Sequence, residues 1–157
     1  MSTKKLSLVI SGDIESETFE MIVEQIKKNE PQSIEFIINS YGGDLNIAFG
    51  IYDYLKSLKI KISTKGYGQV SSAAILLFLL GEKRYLSENA VVFLHEPYTL
   101  NSKMSKDEKI ELKRVSDNYF NIISNITKID KKILIKLAKK GTYLTKDFLI
   151  KNKFTNE

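Results

Sequence analysis

Hydrophobic residues in this chain recur with period two in short runs and near period 3.6 in longer ones. Through the first two-thirds the two patterns take turns. Residues 5–11 (KLSLVIS) alternate and then become apolar, which predicts a strand, and Gly12-Asp13 marks a turn. Ser16 can cap a helix reaching about residue 28, with Phe19, Ile22, Val23 and Ile26 on one face. Asn29-Glu30-Pro31 ends it. Residues 33–39 (SIEFIIN) predict a second strand. Ser40-Tyr41-Gly42-Gly43-Asp44 predicts a turn, and Asp44 can cap a helix to about residue 58 that faces Ile47, Ala48, Ile51 and Leu55 inward. Residues 60–67 predict a third strand, and residues 71–80 a third helix, apolar all round and so buried. Gly81-Glu82 closes it, and short strands follow over 83–87 and 90–95. After Glu96-Pro97 an irregular segment leads at Ser105 into a long amphipathic helix, with Leu112, Val115, Tyr119, Ile122, Ile123 and Ile126 at helical spacing. A helix over 129–140 ends at Gly141, and Thr145 can cap a last short helix through residue 151. Strands alternating with helices imply a largely parallel α/β core, with a helical final third.

Composition narrows the picture. A chain of 157 residues with 43% hydrophobic and 27% charged residues is expected to form one globular domain. The absence of cysteine excludes disulfides and thiolate metal sites, and one histidine argues against an all-histidine site, so no metal or cofactor is expected. The N-terminus lacks the apolar region of a signal peptide. The most apolar run, residues 73–80, is too short to span a bilayer, so a cytoplasmic protein is expected, without a membrane partner. The net charge is +5, but the lysines are spread along the chain. That predicts a solvated surface and not a nucleic-acid patch.

The candidate chemistry sits in two glycine-rich turns, each after a predicted strand and before a predicted helix. Ser40-Tyr41-Gly42-Gly43 is one, and Gly68-Gln69-Val70-Ser71-Ser72-Ala73 is the other. Backbone N–H groups exposed at such a junction can hold an anion. Neither turn carries a phosphate-loop or dinucleotide signature, so an oxyanion developing on a carbonyl fits better than a phosphate. Taken locally, the Ser72 stretch also reads as a tight packing turn with a capping serine. His95, which ends an apolar strand, is the only imidazole available to activate a serine. Lys103-Met104-Ser105-Lys106 matches a KMSK motif of some aminoacyl-tRNA synthetases, but the upstream signature that motif needs is absent.

Five ordered segments resemble one family. Ile38-Asn39-Ser40-Tyr41-Gly42-Gly43 is similar to INSPGG, with Tyr41 in place of proline. Ile51-Tyr52-Asp53 fits the IYD of the helix that follows. Gly68 to Ala73 is similar to GQAASM, Lys83-Arg84-Tyr85 to KRF, and VFLHEP over 92–97 to VMIHQP. The patterns they resemble are those of ClpP, the proteolytic subunit of the Clp protease, and its phage-encoded relatives. The order and spacing hold from about residue 6 to 100. The resemblance implies a ClpP/crotonase-type ββα spiral over residues 1–100, with a handle helix and C-terminal helices over 101–157. It implies a serine peptidase with Ser72 as nucleophile and His95 as general base. Gly43 and Ala73 would supply the oxyanion-hole N–H groups. It also implies polypeptide substrates cut inside a homo-oligomer of heptameric rings, stacked through the handle.

Two departures follow. The family's triad acid opens a D-R-F-[LM]-[ST] pattern, and here Gly141-Thr142-Tyr143-Leu144-Thr145 puts Gly141 at the acid position. The neighbouring carboxylates in sequence are Asp130 before it and Asp147 after it, with Asp117 further back. This leaves a slow Ser–His dyad, an acid borrowed from a partner subunit, or a degenerate site. In the last case the chain would be a structural or regulatory subunit assembling with an active paralogue. The chain also starts almost at the first strand, where family members that dock an AAA+ unfoldase carry a longer segment. That argues for a stand-alone or phage-type role. An acyl-CoA enzyme on the related crotonase spiral would usually need a much longer chain, and the Ser72/His95 pair argues against it.

Overall fold

In the computed structural model residues 4–156 are described; residues 1–3, on which part of the N-terminal expectation rests, lie outside them. The chain order is β1 (Lys5–Ile14), α1 (Ser16–Asn29), β2 (Ser33–Gly43), α2 (Leu45–Ser57), β3 (Lys61–Ser71) and α3 (Ala74–Leu79). Then come β4 (Lys83–Leu86), β5 (Val91–Leu94), α4 (Lys106–Thr127), α5 (Lys131–Lys140), β6 (Thr142–Leu144) and α6 (Lys146–Lys151). The strands form one sheet in the order β1-β2-β3-β5-β6, with β4 also paired to β3. Pairing is parallel except between β5 and β6. This is the largely parallel α/β core that the alternation of periods implied, with one antiparallel edge.

The first three strands run further than their apolar patterns. β1 continues through Gly12-Asp13 across a bulge, because Asp13 and Ile14 pair with Gly42 and Gly43 at the end of β2. β3 changes partner along its length: Ser63–Gly66 pairs with β4, and Gln69–Ser71 with β5. The expected third helix over 71–80 is correspondingly shorter, since Ser71 belongs to the sheet. Residues such as Gly42 and Gln69 carry no strand-like alternation, and only their partners make them strand. β6 went unpredicted because three residues after a glycine give no periodic signal.

Helix ends follow side-chain chemistry. The Asp44 carboxylate accepts from the N–H groups of Asn46 and Ile47 at 2.7 and 3.2 Å, so α2 starts where the sequence expects. Thr145 likewise caps α6 through the Phe148 N–H. Ser105 and Glu108 form a reciprocal capping box at α4, which assigns the KMSK serine to helix capping. α1 differs: Ser16 is its first residue, and Glu15 precedes it with its N–H bonded to Thr18 Oγ1.

The core lies between the sheet and the helices. α3 is buried on all sides, and Tyr119, Phe120 and Ile123 of α4 are buried with it. Arg84 on β4 is buried, and its guanidinium donates to the carbonyls of Phe154, Gly81 and Lys153 at 2.8, 2.6 and 2.7 Å. It ties the C-terminal segment to the sheet. Among the described residues no helix is long and apolar enough to cross a membrane.

Candidate active site

At the ends of β1, β2, β3 and β5 opens a cleft of about 630 Å³, lined among others by Asp13, Tyr41, Gly42, Gly43, Ser72, His95 and Tyr98. Ligand sites in open α/β sheets form at these carboxyl ends. Ser72 stands between the last residue of β3 and the start of α3, with φ +53°. A side chain in the left-handed region costs of order 1–2 kcal/mol, so packing and hydrogen bonds must hold it. They do. The Ser72 N–H donates to the Phe93 carbonyl at 3.1 Å, and the Ser72 carbonyl accepts from the Ile75 N–H at 3.0 Å and from the Tyr119 hydroxyl at 3.0 Å.

The glycine turn closes over this serine. A Cβ on Gly42 would lie 2.7 Å from Ser72 Cβ, 2.9 Å from the Ser71 carbonyl and 3.0 Å from the Ala73 nitrogen. Only a residue without a side chain lets β2 come this near. Buried Ser40 fixes the turn from below: its hydroxyl donates to the Gly12 carbonyl at 2.6 Å and accepts the Gly42 N–H at 3.0 Å. Ser40 is a supporting residue that sequence reasoning did not single out, although it lies inside the INSYGG segment. The Ala73 N–H takes no backbone acceptor among the described residues. Thus Ser72, His95 and Gly43 line one cleft, with Ala73 buried immediately behind the serine.

His95 lies just past β5, so the pairing of β3 with β5 brings it beside the Ser72 turn. Its Nδ1 is 2.7 Å from the Glu96 carbonyl. A carbonyl only accepts, so Nδ1 carries the proton and the lone pair is on Nε2. The imidazole also contacts two rings, Phe93 at 5.6 Å and Tyr98 at 5.5 Å, and Tyr143 meets Phe93 in a tilted contact at 4.6 Å. Among the described residues no hydrogen bond joins Ser72 Oγ to the ring, and no carboxylate reaches it. Catalytic hydrogen bonds are often long before substrate tightens them.

The sequence neighbours of the acid position lie on other elements, and two of them have partners there. A Cβ on Gly141 would meet the Phe93 ring at 3.2 Å, so this position faces an aromatic side chain and not the imidazole. Asp117 pairs with Lys131 at 2.9 Å, which holds its carboxyl below the usual range. Asp130 caps α5 through the Lys132 N–H at 2.7 Å, and Asp147 lies in the first turn of α6. The cleft itself is lined by four carboxylates, Asp13, Asp44, Glu108 and Glu111. Glu108 is held low by the bond from the Ser105 N–H, and Glu111 by Arg114. Among the described residues no three metal-ligating side chains cluster.

A largely parallel α/β sheet whose third strand leads into a serine at a left-handed turn, in one cleft with the chain's single imidazole and a glycine turn, is an arrangement suited to a serine hydrolase. Comparison with known proteins agrees. The chain matches the Clp protease family over residues 2–151. It is 34% identical over 142 residues to the ATP-dependent Clp protease proteolytic subunit 2 of Borreliella burgdorferi, covering 82% of this chain and 72% of that one. The subunit of the same name from Treponema denticola is 28% identical over 146 residues, covering 87% and 73%. A solved structure of a ClpP1 point mutant from Listeria monocytogenes superposes with a TM-score of 0.86 at 25% identity, covering 96% of this chain and 89% of the other. This chain belongs to the Clp protease family and is a ClpP-like peptidase.

Proposed function

We propose that the chain is a serine endopeptidase in which Ser72 is the nucleophile, His95 the general base, and the N–H groups of Gly43 and Ala73 the oxyanion donors. The observation that carries this reading is Ser72 itself, a non-glycine residue held at φ +53° in the cleft that contains the one imidazole. Strain of this kind persists where surrounding structure enforces it, and it clusters at functional sites.

In the first step Ser72 Oγ bonds to the scissile carbonyl carbon while His95 Nε2 takes the hydroxyl proton. The carbonyl oxygen becomes an alkoxide facing the two backbone donors. When it collapses, the C–N bond breaks and the imidazolium returns its proton to the departing amine. Water then repeats the sequence on the acyl-enzyme, again through Nε2. The Glu96 carbonyl does part of the work of a triad acid, because it fixes the tautomer. Being neutral, it stabilises the imidazolium less than a carboxylate, and losing the acid in a triad protease costs about 10⁴-fold in rate. A slow Ser–His dyad is therefore the form we favour.

Rings of this chain, heptameric and joined through α4 as the handle, would enclose the cleft and admit polypeptides, in the cytoplasm. The two curated relatives are named as subunits of an ATP-dependent protease. By that likeness an ATP-driven unfoldase partner stays within this reading. A second reading is a weak or inactive subunit that assembles with an active paralogue, favoured by the lack of a carboxylate at His95 among the described residues. One experiment separates the two. The purified homo-oligomer is treated with a fluorophosphonate and assayed on peptides. Labelling of Ser72, with peptide cleavage that Ser72→Ala abolishes, supports the peptidase. A folded, unlabelled and inactive oligomer sinks it and leaves the second reading.

A further inference from the structure

We propose that the hydroxyl of Tyr119, on α4, is a positioning group for the oxyanion donor at Ala73. The inference rests on the reading of Ser72 and Ala73 just given. Tyr119 lies 47 residues along the chain from Ser72, is 1% exposed, and donates its hydroxyl to the Ser72 carbonyl at 3.0 Å. It does not line the cleft. The carbonyl of Ser72 and the N–H of Ala73 are the two ends of one planar trans peptide and point in opposite directions. Anchoring the oxygen on the α4 side therefore aims the N–H at the other side. There Gly42 leaves room: its missing Cβ would stand 3.0 Å from the Ala73 nitrogen.

The hydrogen bond does a second thing. A donor on the carbonyl polarises the peptide and strengthens the N–H at its other end. Burial pushes the Tyr119 hydroxyl well above the usual tyrosine range, so it stays protonated as a donor. Its neighbours on the same face suggest why the hydroxyl is there. Val115, Phe120 and Ile123 are buried beside it and carry no polar side-chain atom. A phenylalanine would fill the site equally well, so packing alone leaves the oxygen unexplained. Ser72 also sits at positive φ, where its peptide has fewer ordinary restraints than in a strand or helix.

Tyr119→Phe is the test. The Ser72 carbonyl keeps the Ile75 N–H as partner, so no buried acceptor is orphaned. On a peptide substrate, kcat is expected to fall about tenfold with KM changed less than about twofold, since a mis-aimed donor costs part of the loss seen when a donor is removed. The affinity for a peptide aldehyde, whose hemiacetal oxygen occupies the oxyanion position, falls in parallel. Phe120→Leu serves as the packing control and is expected to lower the melting temperature without changing kcat. The proposal is overturned if Tyr119→Phe leaves kcat and aldehyde affinity unchanged, or if Phe120→Leu lowers kcat equally. Wild type that cleaves peptide and loses activity in Ser72→Ala keeps the parent reading whatever Tyr119→Phe does. Wild type that neither cleaves nor labels removes both.

Discussion

Gly42→Ala is the substitution that tests the cleft most sharply, because the structure fixes what the added methyl would meet. The new Cβ would lie 2.7 Å from Ser72 Cβ, 2.9 Å from the Ser71 carbonyl and 3.0 Å from the Ala73 nitrogen. Carbon atoms in contact prefer about 3.5–4.0 Å, so the overlap approaches an ångström. None of these neighbours is a flexible side-chain end. Relief requires β2 and the end of β3 to separate, and their contact is pinned by Ser40↔Val70 pairing and by the Ser40 hydroxyl on Gly12 and Gly42. Gly42 also sits at φ +109°, which adds about 1–3 kcal/mol of strain for alanine. Together these effects cost about 2–6 kcal/mol, the overlap contributing about 1–3. In a domain of this size that lowers the melting temperature by about 4–24 °C. Activity should fall further than stability explains. On the proposed reading the Ala73 N–H, against which the methyl stands, is an oxyanion donor, and loss of one such donor costs about 10²–10³ in kcat. Gly12→Ala is the matched control: it also has positive φ, at +76°, but its Cβ would meet nothing within 4 Å. Thermal unfolding and steady-state peptide cleavage at a temperature where both variants are folded compare the two. If Gly42→Ala retains a kcat within about threefold of Gly12→Ala, the close approach of the glycine turn to the serine has no catalytic meaning.

Three other outcomes follow from the same geometry. Gly141→Asp should not restore a triad, since its Cβ faces Phe93 at 3.2 Å; kcat is expected to stay within about threefold, and a gain of about a hundredfold or more would place the carboxylate on His95 after all. Arg84→Met should destabilise by about 3–5 kcal/mol in urea titration, because it strips donors from the Phe154 and Lys153 carbonyls of the C-terminal segment and from that of Gly81; a midpoint unchanged from wild type would refute that role. Burial pushes the Glu35 carboxyl up, but Lys5 and Lys65 at 3.0 and 3.1 Å outweigh it and leave it below the ordinary 4.5. A depressed folded value contributes stability above the unfolded pKa and loses it as pH falls from about 4.5 through the folded value. Glu35→Gln should therefore lose less stability than wild type between pH 6 and pH 3.5, read from urea midpoints at both; equal losses would remove the ion pairs from the account.

Among the described residues no carboxylate reaches His95, and this changes how the site is understood. The position aligned with the family's acid opens toward Phe93, and rings take the space around the imidazole: Tyr143 against Phe93, and Phe93 and Tyr98 against His95. Orientation that a triad obtains from one charged hydrogen bond is here divided between ring contacts and a main-chain acceptor. Ring contacts hold a side chain in place but supply no charge, so under the proposed Ser–His reading positioning is retained while stabilisation of the imidazolium is reduced.

Much of this was legible along the chain. The exchange of period two for period 3.6 gave the parallel α/β core, because one buried face per element writes itself into the sequence. Asp44, Ser105 and Thr145 gave helix starts, since capping is a contact between residues two or three apart. The order of five short segments gave the family, and with it Ser72 and His95 as the pair to examine. What only the tertiary structure decided are contacts between distant residues. Pairing with other strands carried β1, β2 and β3 past their apolar runs and made β6 a strand. The left-handed turn at Ser72 is enforced by Phe93 and Tyr119, which are 21 and 47 residues away. Gly141 faces Phe93, and Asp117 is drawn to Lys131, through the path the chain takes between α4 and β6. Local sequence encodes periodicity and caps because their partners are near neighbours. The environment of a nucleophile is built from chain segments that meet only when the sheet closes, and no local pattern records that meeting.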